Sequence, residues 1–350
     1  EDLGILHYEH FDDPSVALRA SVSSAVRAPG RLAPERPWPP GGHAMSMRLG
    51  VTLPQCGPTA GPDAVRAIAE SAESLGFDSL WVLDRLLYPV APKAPYPATP
   101  DGSLPDAYRR VLDPILTLTY AAAVTKRVTL GTSVLNLPWY NPNLLARQLT
   151  SLDVLSNGRV RAGLGTGWSP DEYEAVGVDM KTRGARAYEA LDVLKKSWTE
   201  ATPSHAGTFY SLPKTHLDLR PVQSPRPKIY MAAYTPATMK RVAEHTDGWN
   251  PAGVPVAAMK QMWDGIRGMA QAAGRDPKSL ELIVRANLVI TKAPLGDDRG
   301  VYTGSLDQVR ADVAATREIG AHELFFELGF TDEGRSLDGQ LALLKQLRGM

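Results

Sequence analysis

The sequence has almost no cysteine: Cys56 stands alone among 350 residues, which excludes an internal disulfide and any multi-cysteine metal centre. Charge of one sign is not in excess, with 38 Lys+Arg against 38 Asp+Glu. Neither nucleic acid nor an anionic membrane is expected as a partner, because each calls for a basic excess or a basic face. No run of about 18 apolar residues occurs, so no membrane span is expected and the chain reads as cytoplasmic. The seven histidines are scattered without the spacing of a zinc helix, so no metal is expected. A nucleophile-elbow motif for Ser-His-Asp hydrolysis is also missing. What remains is ordinary globular material, 43% hydrophobic and 22% charged, with apolar mass for a large core.

Residues 1–46 differ from the rest. Gly30, Pro34, Pro37, Pro39, Pro40, Gly41 and Gly42 crowd their end, where neither helix nor strand persists. The opening Glu1-Asp2 and the broken pattern from Val16 to Val26 lack the basic start and apolar run of a signal peptide. The expectation is a flexible leader outside the fold, with Met45 or Met47 as the natural start, and a domain over 47–350.

From Met47 onward, β-rich runs alternate with helical patterns, the sequence form of a parallel sheet. Strands are expected at Leu49–Leu53, Ser79–Val82, Val128–Leu135, Arg159–Gly163, Lys228–Ala232, Gly248–Trp249, Leu282–Ile290 and Glu323–Glu327. Helices are expected between them, from Asp63–Leu75 to a last one at Leu337–Leu347. Eight units in order imply an α/β fold closed as a (β/α)8 TIM barrel, with insertion loops at the C-terminal face. An open doubly wound sheet would carry a glycine fingerprint after the first strand, where this chain reads Pro54-Gln55-Cys56-Gly57-Pro58.

Chemistry in such a barrel sits where strands end and helices begin. After the fourth strand comes Gly163-Leu164-Gly165-Thr166-Gly167-Trp168, either a close backbone approach to a flat or anionic ligand or a tight turn at the rim. After the fifth, Ala233-Tyr234-Thr235-Pro236 opens a helix, so Thr235 is a phosphate site or a plain cap. After the third, Ser133 and Asn136 flank an apolar end and Trp139-Tyr140 follow, a wall for an aromatic ring or a cover for the rim at a dimer contact. After the second, Asp84-Arg85 is a site pair or a surface ion pair. The Pro-rich stretch from Pro89 to Pro105, too long for an ordinary connection, should overhang the pocket as a semi-rigid lid. His205 and His216 can face substrate or solvent, His245 and His322 read as structural, and Cys56 reads as a small, partly buried residue.

Several of these segments agree at once with one family. Leu130-Gly131-Thr132-Ser133-Val134, the Asn141-Pro142 step, Leu149 through Arg159, Gly163 through Trp168 and Asp247-Gly248-Trp249 resemble the bacterial luciferase-like superfamily, and more narrowly its coenzyme F420-dependent oxidoreductase branch. The resemblance runs from about Arg48 to Gln346. It implies a TIM barrel, often dimeric, with a deazaflavin or FMN ring at the strand ends and a non-proline cis peptide, here Ser133-Val134, behind the ring. It also implies that Asp84, Asn136, Thr166, Gly167 and Asp171 line the cofactor, with Ala233, Tyr234 and Thr235 near its ribityl-phosphate arm. Two departures bear on mechanism. The sugar-phosphate dehydrogenases of the family carry a His where this chain has Arg85 and a Glu where it has Trp168. Loss of both acid–base groups argues against alcohol oxidation and for reduction of a C=C or C=N bond. Arg85 would then orient a substrate carboxylate, Tyr140 would supply a proton, and Trp168 would shape substrate choice. The alternatives are an FMN-dependent monooxygenase supplied by a separate reductase and, from another class, a non-catalytic flavin binder. The substrate is expected to be a small or medium organic molecule.

Overall fold

Eight short segments rich in β-branched and aromatic residues become eight parallel strands in the computed structural model, which describes residues 47–99 and 101–350. They are β1 (Arg48–Thr52), β2 (Ser79–Val82), β3 (Thr129–Thr132), β4 (Val160–Gly165), β5 (Lys228–Met231), β6 (Gly248–Trp249), β7 (Glu281–Asn287) and β8 (Glu323–Glu327). Each pairs in parallel with the next, and β8 pairs back onto β1 with Arg48 opposite Glu323, so the sheet closes into a barrel. The helices are α1 (Pro62–Leu75), α2 (Pro114–Val124), α3 (Pro142–Leu155), α4 (Pro170–Ala175), α5 (Arg183–Thr199), α6 (Pro236–His245), α7 (Val256–Ala272), α8 (Leu306–Glu318) and α9 (Leu337–Arg348). Their starts follow from local chemistry: Asp113, Asn141, Ser169, Thr235, Ser305 and Ser336 each accept a first-turn N–H. The expected leader lies outside the described residues.

The two-residue period of a strand sorts its side chains. Outward positions such as Leu49, Val51, Leu80, Val82, Leu324 and Phe326 join one large core beneath the helices. Inward positions Trp81, Tyr230, Ile283 and Phe325 form a second, smaller cluster that plugs the barrel, with Trp81 and Phe325 stacked at 4.5 Å. At the N-terminal end of the barrel the inward residues are charged. The buried Glu323 carboxylate accepts from Ser79 Oγ (2.5 Å), Trp81 Nε1 (2.9 Å), Arg48 Nε (3.1 Å) and Arg161 Nη1 (2.8 Å). The interior is therefore a packed floor, and the open space lies at the C-terminal ends.

Three expectations need correction. The third strand does not run unbroken to Leu135; it stops at Thr132, passes a cis Ser133–Val134 peptide and resumes for Leu135–Asn136 alongside β4. The seventh stops at Asn287, and Val289–Ile290 leaves the barrel to pair with Thr303–Gly304. The segment between β4 and β5 contains an unforeseen hairpin, His205–Ala206 with Ser211–Leu212. Each break follows a change of strand neighbour, which hydropathy does not record.

Candidate active site

The break in β3 is made possible by its neighbour. A Cβ on Gly165 would meet Val134 Cγ2 at 2.4 Å, so only glycine there lets the strand end lean across β4. Gly167 has φ +65°, and a Cβ on it would meet Asn136 Oδ1 and Tyr173 Cε2 at 3.3 Å. The glycines of the Gly-Leu-Gly-Thr-Gly run thus let Val134, Asn136 and Tyr173 pack closely on the end of β4. Among the described residues the Asn136 amide and the Thr166 hydroxyl make no hydrogen bond, while the Thr166 carbonyl accepts from Tyr173.

Beside these strand ends lies Asp84. Its Oδ2 accepts from the Asn136 N–H (2.9 Å) and from the Tyr140 hydroxyl (3.1 Å). Burial pushes its carboxyl up to about 6 against those two hydrogen bonds, with Glu172 adding a like charge. Burial and the adjoining Asp84 carboxylate also push the Tyr140 phenol up. Asp84, Asn136 and Tyr140, from two strand ends, therefore form one hydrogen-bonded unit, with Ser133, Val134, Thr166 and Gly167 grouped around it.

Arg85 points elsewhere than its neighbour. Its Nη1 donates to Glu172 Oε2 at 2.9 Å, with side-chain exposures of only 6% and 2%. Its guanidinium lies over the rings of Trp168 (5.0 Å), Tyr108 (5.2 Å) and Tyr96 (5.9 Å). The charge expected to meet a substrate carboxylate is thus already compensated. The long loop is tied down at the same place: Tyr96 packs on Trp168 at 5.4 Å, and the Lys93 N–H donates to Asp171 at 3.0 Å. Asp171 therefore ties this loop to the start of α4.

Ala233, Tyr234 and Thr235 sit together at the end of β5 and share no hydrogen bond with the Asp84 unit. The Ala233 carbonyl accepts from Trp249 Nε1 (2.9 Å), and Tyr234 Oη takes the Ala252 N–H (3.1 Å). Thr235 forms a capping box with Thr238, whose hydroxyl also takes the Tyr234 and Thr235 N–H groups. Of the histidines, His205 lies 3.3 Å from both Glu189 and Asp192, and His322 Nδ1 accepts from Leu282 N at the barrel's opposite end.

Sequence reasoning missed the polar layer beneath the mouth. Arg285 Nη1 donates to the Ser133 carbonyl (3.0 Å) and Nη2 to Glu327 Oε2 (2.8 Å), while Glu327 Oε1 accepts from Thr52 Oγ1 (3.2 Å). Ser133 Oγ donates to Asn250 Oδ1 at 2.7 Å. A signal existed: Arg285 and Glu327 are charged residues at inward parity in otherwise apolar strands. Among the described residues no group of three or more His, Cys, Asp or Glu can hold a metal, and no helix is long and apolar enough to cross a membrane.

Residues 45–295 match the family model for the luciferase-like monooxygenases. An uncharacterised protein of Mycobacterium tuberculosis is 34% identical over 257 residues, covering 69% of this chain and 91% of its own. An F420-dependent glucose-6-phosphate dehydrogenase of Kineococcus radiotolerans is 31% identical over 240 residues, 67% of this chain and 66% of that one. The fold matches that of the monooxygenase RslO1 from Streptomyces bottropensis with a TM-score of 0.71 at 23% identity, covering 87% and 98% of the two chains. The break after β3, the close packing of Val134 on β4 and these matches agree, and the chain belongs to the luciferase-like monooxygenase family.

Proposed function

We propose that this protein is an F420-dependent oxidoreductase acting on a small or medium organic molecule, with reduction of a C=C or C=N bond favoured over alcohol oxidation. The observation that carries it is the Asp84–Asn136–Tyr140 unit beside Val134, which packs on Gly165 at the ends of β3 and β4. A planar ring fits there: Val134 offers an apolar back, and the unpartnered Asn136 amide and Thr166 hydroxyl offer edge contacts. When bound, the reduced deazaflavin supplies a hydride. The residues of the chain do the rest. Tyr140 holds a proton at its hydroxyl and Asp84, titrating near neutrality, replaces it. Trp168 and Arg85 wall off water. The likeness to a relative named for F420 supports that coenzyme. Arg85 and Trp168, in place of the His and Glu of the sugar-phosphate dehydrogenases, speak against that relative's reaction here.

The same strand ends suit FMN, and the likeness to a monooxygenase supports the second reading: oxygen-dependent turnover with reduced FMN delivered by a separate reductase. Fluorescence titration with F420 and with FMN, followed by turnover with and without oxygen, separates them. F420 binding with oxygen-independent reduction is expected. FMN binding with oxygen consumption would favour the second, and binding without turnover a non-catalytic binder. The chain is also proposed to act as a homodimer, through the outer faces of α2 and α3, where Leu116, Leu144 and Leu155 stand exposed.

A further inference from the structure

We infer that the cavity of about 580 Å³ beside the barrel mouth is the substrate compartment, and that it takes an uncharged, mainly apolar molecule; this rests on the oxidoreductase reading above. The cavity lies over the ends of β1, β2 and β8. Thr52 and Glu327 line it and also point into the barrel, so it opens onto the polar layer beneath the mouth. None of Asp84, Val134, Asn136, Thr166, Gly167, Tyr234 or Thr235 lines it. It is thus space for a second molecule next to the ring's place and distinct from it. Its volume falls within the range of about 300–1,000 Å³ usual for small-molecule sites.

The lining decides the class of ligand. The walls are mostly apolar, with Leu53, Leu83, Leu328 and Phe330 prominent. Glu327, the buried charge of the lining, already has its partners, and the remaining charges stand at the exposed rim. The Glu327 carboxylate takes Arg285 Nη2 (2.8 Å), Thr52 Oγ1 (3.2 Å) and the Gly329 N–H (3.0 Å). Arg110 Nη2 donates to the Ala60 carbonyl at 2.8 Å, and at the exposed rim Arg335 pairs with Asp332 and Asp106 with Arg109. Burial leaves the Cys56 thiol and the Tyr108 phenol protonated. A charged molecule reaching the buried part would shed its water and find no opposite charge free there, because Arg110, which has no carboxylate partner among the described residues, stands exposed at the rim. Tyr108 is the dividing wall, since one side borders the cavity and its ring carries the Arg85 guanidinium at 5.2 Å.

The test uses 6-propionyl-2-(dimethylamino)naphthalene, a neutral ketone whose emission shifts to the blue on leaving water. The naphthoate anion bearing the same dimethylamino group serves as competitor, with the full chain and no coenzyme. Ala107→Phe fills the cavity from a short helix outside the barrel, and Thr59→Phe does so from the opposite wall should the first variant melt early. Expected are saturable binding of the ketone, at least tenfold weaker binding of the anion, and at least a tenfold loss of ketone affinity in the filled variant. Ketone affinity unchanged on filling, no saturable ketone binding, or an anion bound as tightly as the ketone would overturn the inference. F420 and FMN titrations on wild type and filled variant are run in parallel. Coenzyme affinity unchanged by filling supports the separation of the two spaces, and its loss in parallel with the ketone overturns it. Neither coenzyme binding while the ketone behaves as stated would sink the oxidoreductase reading and leave the cavity as a site for neutral ligands.

Discussion

At the scale of single residues, Asp84 is a carboxylate kept mostly out of water with no cation to compensate it. Its folded value of about 6 lies above the roughly 3.9 of an unfolded chain, so its contribution to stability is complete below about pH 4 and is lost as pH rises to and past 6. Asp84→Asn keeps one oxygen that can accept from both Asn136 and Tyr140. The variant should match wild type near pH 4 and be more stable by about 2–3 kcal/mol at pH 8, read by urea melts across pH. Equal stabilities at pH 8 would mean the carboxylate is better solvated than its position implies. Catalysis should show the same group. Tyr140 delivers its proton most readily when Asp84 is protonated to replace it, so reduction should slow as pH rises through about 6. Tyr140→Phe should lower kcat by about 10²-fold and abolish that limb of the pH profile; a surviving limb would assign it to another group. Asp84, Asn136, Tyr140 and Gly167 were legible because chain order alone puts the residues after each strand at one rim. Arg285 was not, because its partner, the Ser133 carbonyl, is 152 positions away across the barrel, and Glu172 waits on a helix that sequence reading passed over.

Among the elements, the start of the long loop after β2 is tied to α4 by a buried ion pair. Glu172 on α4 accepts from Arg85 Nη1 (2.9 Å) and from the Leu86 N–H (2.8 Å), at the point where the long loop departs. Removing one partner of such a pair strands the other charge. Glu172→Ala should therefore cost about 3–5 kcal/mol and make the stretch from Leu86 to Arg110 sensitive to protease, while Arg85→Met with Glu172→Met should recover most of the loss. A Glu172→Ala protein with wild-type urea midpoint would show that water already screens the pair. The elements themselves were largely legible. Caps and Pro at first turns fixed the helix starts, and apolar runs of four to seven residues fixed the strands. The cis Ser133–Val134 peptide stands where the family resemblance put it, and what escaped were the interruption of the third strand after Thr132, the departure of Val289–Ile290 and the hairpin at His205–Leu212. Hydropathy records burial and not which strand is the neighbour, and the hairpin and Val289–Ile290 lie only partly buried outside the barrel.

For the molecule as a whole, closure of the barrel leaves its helices with two faces, and α2 has too few polar residues to cover the outer one. Ile115, Leu118 and Ala121 face the barrel, yet Leu116 is 70% exposed and Tyr120, one turn on, is exposed as well. A helix apolar on all sides is ordinarily buried on all sides. The adjacent α3 exposes Leu144 and Leu155, and the two helices pack side by side. A second copy of the same chain is the occupant whose surface is self-complementary by symmetry, and stable interfaces need about 800 Å² from each partner, which two helical faces can supply. Leu116→Glu places a charge on the exposed face of α2 without touching the barrel core. Sedimentation should then show a dimer for wild type and a monomer for the variant. The wild-type melting temperature should rise with protein concentration while that of the variant should not, because only association couples stability to mass action. Circular dichroism of the variant should stay that of the folded barrel. A wild type that sediments as a monomer at every concentration would leave the α2–α3 face without its proposed partner, while a variant that remains dimeric would move the interface to another face of the barrel.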